Sequence, residues 1–366
     1  MDLLGRVRED FGIPLIGVRP TGLGADPRAS LFRGETADGT AYAVKSGPAP
    51  QPGLVVADFL AGRGVRGVPA PVRTRTGGLV ATDDDRTVSV VPWVDGDRAI
   101  EVGLTAAQWR SFGELLATVH ATAPGPPLVG VPPGLRVDRH DPSSEVGRAR
   151  AFPRQLAAAV AQAPSDPLLA ELAAVWDTGG HRVLEVAALA ESTARSSVWA
   201  GTEPVVCHAD PHHGNLLLEP DTFAGAGDGV WLVDWDDAVL APREADLIFV
   251  VGGVFSFAPI TSSEVDSFFE GYTPASGGVT RRDLDLTRLT HYRSTRALTD
   301  FLDFADDVLD LAVEADPGLD GDVGVGPAGD PCDREAGRAA ALRIATGALS
   351  PEGLVTITLS EAAAGH

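Results

Sequence analysis

The sequence predicts an α+β protein of two lobes, a small antiparallel β lobe over residues 1–92 and a larger, mainly helical lobe over residues 93–366. Three observations predict this division. Short runs of β-forming residues, separated by turn residues, fill the first part of the chain. Apolar residues at helical spacing dominate the second part. The length of 366 residues and the hydrophobic content of 44% allow each lobe a core of its own.

The β lobe is predicted from strand-like runs and one short helix. The pair Asp38-Gly39 stands between the second and third runs and is a strong hairpin signal. Residues 53–62 have the composition of a short helix. The strand-like runs cover residues 13–18, 29–33, 41–45, 78–81 and 87–91.

The helical lobe follows a connector at residues 92–96. Thr105 is the predicted N-cap of its first helix, where Trp109, Phe112 and Leu116 recur at helical spacing and predict a buried face. The elements predicted after it are helices near 151–163, 167–177 and 180–197, strands within 204–219 and 230–236, helices to about residue 313, an acidic loop at 315–335, and a last helix and strand-like piece.

Charge and composition exclude several kinds of partner. The formal net charge of -22 opposes binding to nucleic acid and to anionic membranes, and it favours cationic ligands. The two cysteines, Cys207 and Cys332, are too few for a disulfide framework, and they form no CxxC pair. The apolar run at 247–257 is too short to span a bilayer, and residues 1–15 lack the pattern of a signal peptide. We therefore expect a cytoplasmic protein, a monomer or a homodimer.

Lys45 is the only lysine of the chain and ends the strand-like run at 41–45. A lysine ammonium is a compact point charge that fits between phosphate oxygens, which the broad guanidinium group of arginine does not do in the same way. The alternative is chance survival of one lysine in an arginine-rich composition. The residues around Lys45 favour the phosphate interpretation.

A second pattern lies in the helical lobe, at residues 208–215 (HADPHHGN). Asp210 is followed five residues later by Asn215, and Asp234 ends the next apolar run nineteen residues further on. Phosphoryl transfer needs one carboxylate that accepts a proton from a substrate hydroxyl. It also needs an amide oxygen and a second carboxylate that hold Mg²⁺ on the nucleotide phosphates.

These residues resemble the catalytic signature of the aminoglycoside phosphotransferase family, H-x-D-x-x-x-x-N followed by a strand that ends in Asp. The resemblance implies a two-lobed, protein-kinase-like fold and transfer of phosphate from ATP or GTP to a small molecule. It further implies Asp210 as catalytic base, Asn215 and Asp234 as Mg²⁺ ligands, and His208 as a structural member of the loop.

The same resemblance implies a nucleotide site in the β lobe. Lys45 corresponds to the strand lysine that pairs with the α- and β-phosphates. Residues 22–30 correspond to the loop over the phosphates, so Gly22, Gly24 and Ser30 are predicted to contact the nucleotide.

Residues 91–94 correspond to the segment that binds adenine through its backbone. Val91, Trp93 and Val94 are the predicted contacts, and Trp93 or Val94 must be the donor because Pro92 has no N–H. The segments 88–96, 234–237 and 292–300 resemble the spectinomycin phosphotransferase branch of the family.

One departure concerns the partner of Lys45. The family pairs the strand lysine with a glutamate in the small lobe, but this chain has no glutamate between Thr36 and Ile100. Two alternatives stay open. Either Asp58, the only acid in the predicted helix, substitutes with a shorter reach, or Lys45 is less firmly oriented.

The acceptor is predicted from charge and from the resemblance. Both favour a cationic antibiotic of the aminoglycoside or aminocyclitol type, or another hydroxylated antibiotic, with resistance as the outcome. Asp236, Asp300 and Asp303 are the predicted contacts to the acceptor, the last two through its ammonium groups, and a second metal is a further alternative for Asp236. The alternative for these acids is a solvated turn or helix face, since Arg296 and Asp300 are four residues apart and can pair.

Three other functions stay open at this point. One is a metabolite kinase of the homoserine or choline type. A second is a binding protein on a kinase scaffold without activity, which the absent glutamate favours. The third is a metallo-hydrolase, because His208, Asp210, His212 and His213 resemble a dinuclear zinc cluster, although such a site needs further histidine ligands.

Overall fold

The computed structural model describes residues 2–21, 30–48, 52–83, 86–122, 135–219, 229–251, 259–309 and 331–364. The chain divides into two compact units. The first comprises residues 1–138, 203–249 and 261–283, and the second comprises 139–202, 250–260 and 284–366. The boundary predicted at residue 92 lies inside the first unit, and that functional division stays a prediction.

Strands and helices occur in both halves of the sequence, and short 3₁₀ turns join several of them. The strands are β1 (Leu15–Pro20), β2 (Ser30–Thr36), β3 (Ala41–Pro48), β4 (Ala81–Asp83), β5 (Arg86–Pro92), β6 (Asp97–Arg98), β7 (Val205–Cys207), β8 (Leu216–Leu218), β9 (Val230–Leu232) and β10 (Val239–Ala241). The helices are α1 (Leu3–Arg6), α2 (Pro52–Gly62), α3 (Ala99–Val102), α4 (Ala106–Ala121), α5 (Ser143–Gln162), α6 (Pro167–Ala194), α7 (Glu244–Val251), α8 (Ser262–Ala275), α9 (Leu286–Leu309), α10 (Pro331–Ala348) and α11 (Leu354–Ala364).

The first unit contains an antiparallel sheet of five strands in the order β1-β2-β3-β5-β4. The predicted hairpin between β2 and β3 is confirmed, and Gly39 has the positive φ of 87° that such a turn requires. Strand β4 begins at Ala81, so the strand predicted over 78–81 is wrong except for its last residue. Because β3 lies in the middle of the sheet, Lys45 is paired on both sides, with Leu31 and Ser89.

Two further packing layers complete the first unit. The N-terminal residues Leu3, Val7 and Phe11 are buried against the sheet, which explains why this segment is helical rather than extended. Helices α4 and α8 pack closely because each presents a glycine to the backbone of the other. A Cβ on Gly113 would lie 2.1 Å from the carbonyl oxygen of Phe268, and one on Gly271 would lie 2.0 Å from that of Arg110.

Short sheets carry the loops that follow α6. Strand β7 pairs with β10, and β8 lies between β6 and β9. Leu216 of β8 pairs with Leu232 of β9. The start of β8 is therefore held beside the end of β9. The predicted strands at 204–219 and 230–236 are therefore real but shorter, since most of the first is the loop between β7 and β8.

The second unit is helical and corrects two predictions. Helix α6 runs without a break through Gly179 and Gly180, where two helices were predicted; Gly180 lies against the Trp176 ring, which a Cβ would approach to 2.5 Å. The strand-like C-terminal piece is helix α11, because burial of Leu354, Val355 and Thr358 on one face requires helical spacing. Among the described helices, none combines the length and apolarity needed to cross a membrane.

Candidate active site

The loop at 208–215 follows β7 and is fixed by a buried carboxylate. Asp246, from the first turn of α7, accepts hydrogen bonds from the backbone N–H of His208 at 3.0 Å and of Ala209 at 2.6 Å. Ala209 has a φ of 68°, a conformation that costs energy for any residue with a side chain. The two bonds to Asp246 compensate for this strain and fix the direction in which the loop leaves β7.

The network around Asp246 extends into the core. His120 lies 3.0 Å from an Asp246 oxygen through Nε2 and 2.8 Å from the Tyr272 hydroxyl through Nδ1. Among the described residues, His120, Cys207 and Asp246 are the one group whose spacing resembles a metal site. The His120 nitrogens and the Asp246 oxygens are already hydrogen-bonded, so we interpret this group as structural.

His208 joins the loop to the segment that ends in Asp234. Its Nδ1 accepts the backbone N–H of Asp210 at 3.2 Å, so its Nε2 carries the proton and donates to the Val233 carbonyl at 3.0 Å. The Val233 N–H in turn donates to the Asn215 carbonyl at 3.0 Å. Both ring nitrogens of His208 are occupied, which agrees with the structural role implied for it and contradicts a zinc-ligand role.

Asp210 lies at the centre of this loop with its side chain 18% exposed. The Asn215 amide donates to the Asp210 backbone carbonyl at 2.9 Å and to its carboxylate at 3.4 Å. His212 accepts the Gly214 N–H on Nδ1 at 2.8 Å, so a neutral ring carries its proton on Nε2, which lies 3.4 Å from the carboxylate. The Asn215 amide thus holds the Asp210 loop and its carboxylate, His212 Nε2 lies near the same carboxylate oxygen, and the carboxylate is still accessible to a ligand.

Asn215 and Asp234 are suited to a divalent metal ion. Because the Asn215 nitrogen is used by Asp210, its amide oxygen is left as the ligand atom. Asp234 offers a carboxylate that is 55% exposed. An amide oxygen and a carboxylate are hard oxygen donors of the kind that Mg²⁺ prefers.

Both the backbone conformation and the negative charge of Asp234 are energetically unfavourable in the folded protein. Its φ is 64°, in the left-handed region that Asp and Asn tolerate better than other side chains. Although the carboxylate is half-exposed, the protein around it removes part of its water, which raises the pKa of Asp234 above its ordinary value; the ammonium of Lys45 opposes this shift, and Asp236 adds to it. The ionised carboxylate is therefore a cost to the protein without a bound cation.

Asp234→Asn is expected to raise the free energy of unfolding at pH 7 in EDTA, or leave it unchanged, while metal-dependent activity falls. The sign follows from the raised folded-state pKa, because the stability linked to protonation is lost as the pH rises through it. Thermal unfolding from pH 7 downwards measures this, and the gain should shrink as the pH approaches 3.8. Asn also tolerates the positive φ. A marked loss of stability at pH 7 would contradict the assignment.

Lys45 lies within reach of two acids of the segment 234–237. Its Nζ contacts Asp236 Oδ2 directly and lies 4.0 Å from Asp234 Oδ1. Asp58, the predicted partner, instead pairs with Arg73 at 2.5 Å. Of the two alternatives left open for Asp58, substitution for the small-lobe glutamate does not occur, and Lys45 is contacted by Asp236 from the other side.

The phosphotransferase enzyme family model matches residues 18–286 of this sequence, which include all of these groups. The chain belongs to the phosphotransferase enzyme family. The predicted membership of the aminoglycoside phosphotransferase family and the predicted class of enzyme, a phosphotransferase, are confirmed. No curated protein matches the sequence closely enough to count as a relative.

Solved structures confirm the predicted α+β, kinase-like fold. Spectinomycin phosphotransferase in complex with ADP and spectinomycin is 20% identical, with a TM-score of 0.75 over 98% of this chain and 97% of that chain. Amicoumacin kinase, with AMP-PNP and Ca²⁺, is 15% identical, with a TM-score of 0.60 over 96% and 95%. An aminoglycoside phosphotransferase from Alicyclobacillus acidocaldarius is 15% identical, with a TM-score of 0.51 over 95% and 93%.

In the segment of this phosphotransferase that is predicted to bind adenine, one backbone N–H is already hydrogen-bonded within the sheet. The Trp93 N–H donates to the Ala41 carbonyl at 3.0 Å and so continues the pairing of β5 with β3. Backbone groups alternate in direction along an antiparallel strand, and the Val90 carbonyl accepts the Val72 N–H on the side away from β3. Val94 is therefore the candidate N–H donor to adenine. The sequence left Trp93 and Val94 as alternatives, and the pairing of β5 with β3 distinguishes them.

The remaining predicted contacts of this phosphotransferase are those to the phosphates and to the acceptor. Gly22 and Gly24 lie outside the described residues, and Ser30 is the exposed first residue of β2. In the second unit, Asp300 pairs with Arg296 at 2.7 Å, and Asp303 accepts from Arg148 at 2.7 Å. These pairs are what a solvated helix face has, and contact of Asp300 or Asp303 with the acceptor stays a prediction.

His213 is a loop residue whose role the sequence left open. Its ring packs edge-on against Trp109 of α4 at 5.2 Å between centroids. Burial lowers the pKa of His213 below its ordinary value, with Glu264 opposing the shift, so the neutral ring is favoured. His213 thus anchors the loop to α4, a role that no sequence pattern indicated.

Proposed function

We propose that this phosphotransferase transfers the γ-phosphoryl group of ATP or GTP to a hydroxyl of a small, cationic, hydroxylated antibiotic of the aminoglycoside or aminocyclitol type. The observation that carries the proposal is the set Asp210, Asn215, Asp234 and Lys45 within one compact unit. A carboxylate that can accept a proton, oxygen ligands for a metal and a lysine for phosphates are the parts that this reaction requires.

Asp210 orients the acceptor hydroxyl and accepts its proton as the oxygen attacks phosphorus. The Asn215 amide and His212 Nε2 both approach Asp210 Oδ2, each at 3.4 Å, and so restrict the positions that the carboxylate takes towards an acceptor. Bound Mg²⁺, on Asn215 and Asp234, would neutralise charge on the phosphate oxygens. Lys45 binds the phosphates, and the Val94 N–H binds the adenine edge.

The acceptor class follows from charge and from similarity. A net charge of -22 raises the local concentration of a polycationic acceptor and lowers that of an anionic one. The similar structures are kinases of spectinomycin and of amicoumacin. We propose antibiotic resistance in the cytoplasm as the biological outcome.

The test is release of ADP or GDP by the purified protein with Mg²⁺ across aminoglycosides, spectinomycin, nucleoside antibiotics, choline and homoserine. We expect release that depends on one cationic antibiotic and disappears in Asp210→Ala. Release with choline or homoserine alone would overturn the acceptor class. Nucleotide binding without turnover on any acceptor would favour a binding protein on the same scaffold.

His212→Asn is expected to lower kcat by about 2- to 10-fold, the range of one lost polar contact, with KM for the nucleotide unchanged. Asn Oδ1 occupies nearly the place of Nδ1 and keeps the bond from Gly214, but nothing then approaches Asp210 in place of Nε2. Steady-state kinetics measure this.

The control for that variant is His212→Gln. Its amide nitrogen reaches the place of Nε2 and keeps the contact to Asp210, but it loses the Gly214 bond. We expect a lower melting temperature with a higher kcat than in His212→Asn. The reverse order of kcat values would show that His212 acts only by supporting the loop.

A further inference from the structure

The orientation of Lys45 is a separate problem in this phosphotransferase. A lysine side chain has four flexible carbons, so it needs a partner if its ammonium is to stay where phosphate binds. Kinases of this fold use a glutamate of the small-lobe helix for this purpose. No glutamate lies between Thr36 and Ile100, and Asp58 of α2 is turned to Arg73.

The segment after β9 supplies the missing acid. Asp236 Oδ2 contacts Lys45 Nζ directly, although the two residues are 191 positions apart in the sequence. The side chains of Lys45 and Asp236 are 30% and 44% exposed, so the pair is accessible to a nucleotide.

A glycine in α2 brings this segment close. A Cβ on Gly53 would lie 2.4 Å from the carbonyl carbon of Trp235 and 2.7 Å from the nitrogen of Asp236. The first turn of α2 therefore lies directly against the peptide that precedes Asp236. This contact fixes the backbone from which the carboxylate reaches Lys45.

We propose that Asp236 is the positioning residue of Lys45 and takes the part of the absent small-lobe glutamate. This inference rests on the proposed function, and it differs from the predicted contact of Asp236 with the acceptor. One consequence is that the anchor of the phosphate-binding lysine and the predicted metal ligand Asp234 lie two residues apart on one segment. The lysine and the metal ligand are then held together without any acid from α2.

A double-mutant cycle tests the role. Asp236→Asn is expected to lower kcat/KM for the nucleotide by roughly 10- to 100-fold, because displacement of a positioned group by about 1 Å has effects of that order. The double variant with Lys45→Met should be no worse than Lys45→Met alone, since Asp236 acts through Lys45. Losses that multiply in the double variant would overturn the inference.

Two further variants separate positioning from metal binding. Asp237→Asn makes the same charge change at the exposed neighbour and should behave as the wild type. Asp236→Glu keeps a carboxylate within reach of Lys45 and should recover most of the lost activity. If high Mg²⁺ restores Asp236→Asn to wild-type rates, Asp236 is a metal ligand and the inference is wrong.

A readout without catalysis distinguishes this inference from the proposed function. Because Lys45 is the only lysine, ¹³C-lysine labelling gives one side-chain signal in an NMR spectrum. We expect that signal to shift in Asp236→Asn and not in Asp237→Asn. An unshifted signal would overturn the inference even if the protein is a kinase. A shifted signal in a protein that binds no nucleotide would support the ion pair and contradict the proposed function.

Discussion

Asp210→Asn should lower kcat by about 10²- to 10⁴-fold, the contribution of a positioned general base. Asn has nearly the same shape as Asp, and its oxygen can still accept from Asn215 or His212, so the loop should keep its structure. What is lost is the charge that accepts the proton of the acceptor hydroxyl. The affinity for ADP should stay near the wild-type value, because Asp210 acts on the acceptor.

The measurement is single-turnover phosphoryl transfer with saturating acceptor and Mg²⁺, which separates the chemical step from product release. Asp237→Asn, with the same change of charge at an exposed position, is the matched control. Activity within 10-fold of the wild type would show that Asp210 is not the base. A large loss together with a lowered melting temperature would point to collapse of the loop instead.

Asp246→Ala should lower the free energy of unfolding by about 3 to 5 kcal/mol, the cost of removing one partner from a buried polar network. The carboxylate is fully buried and binds the N–H groups of His208 and Ala209 as well as His120. Its removal leaves these donors without partners and leaves the strained backbone at Ala209 without compensation.

Urea unfolding, followed by the fluorescence of the tryptophans, measures the change. Asp266→Ala, at an exposed position of α8, is the control and should stay within about 0.5 kcal/mol of the wild type. Activity should fall with stability in Asp246→Ala, since the loop that carries Asp210 leaves β7 at this point. A loss below about 1 kcal/mol would mean that water or a rearranged side chain satisfies the donors.

The sequence alone determined the fold class and the family, and it was sufficient to predict the main candidate catalytic set. Asp210 and Asn215 are five residues apart in one loop, and Asp234 follows the end of β9 by two residues, so local spacing was sufficient to associate them. The helix capped by Thr105 was predictable for the same reason, because its signals lie within a few residues of each other.

Tertiary structure decided the features that depend on distant contacts. Local propensity predicted a helix break at Gly179-Gly180 and a strand-like last segment. In the structure these segments lie in the helices α6 and α11, each of which buries one of its faces. Sheet register showed that the Trp93 N–H is in use. The partner of Lys45 could not be found from spacing, because Asp236 reaches it across 191 residues through a close approach that Gly53 permits. Sequence patterns identify residues that act together locally, whereas long-range pairing is decided only when the chain is packed.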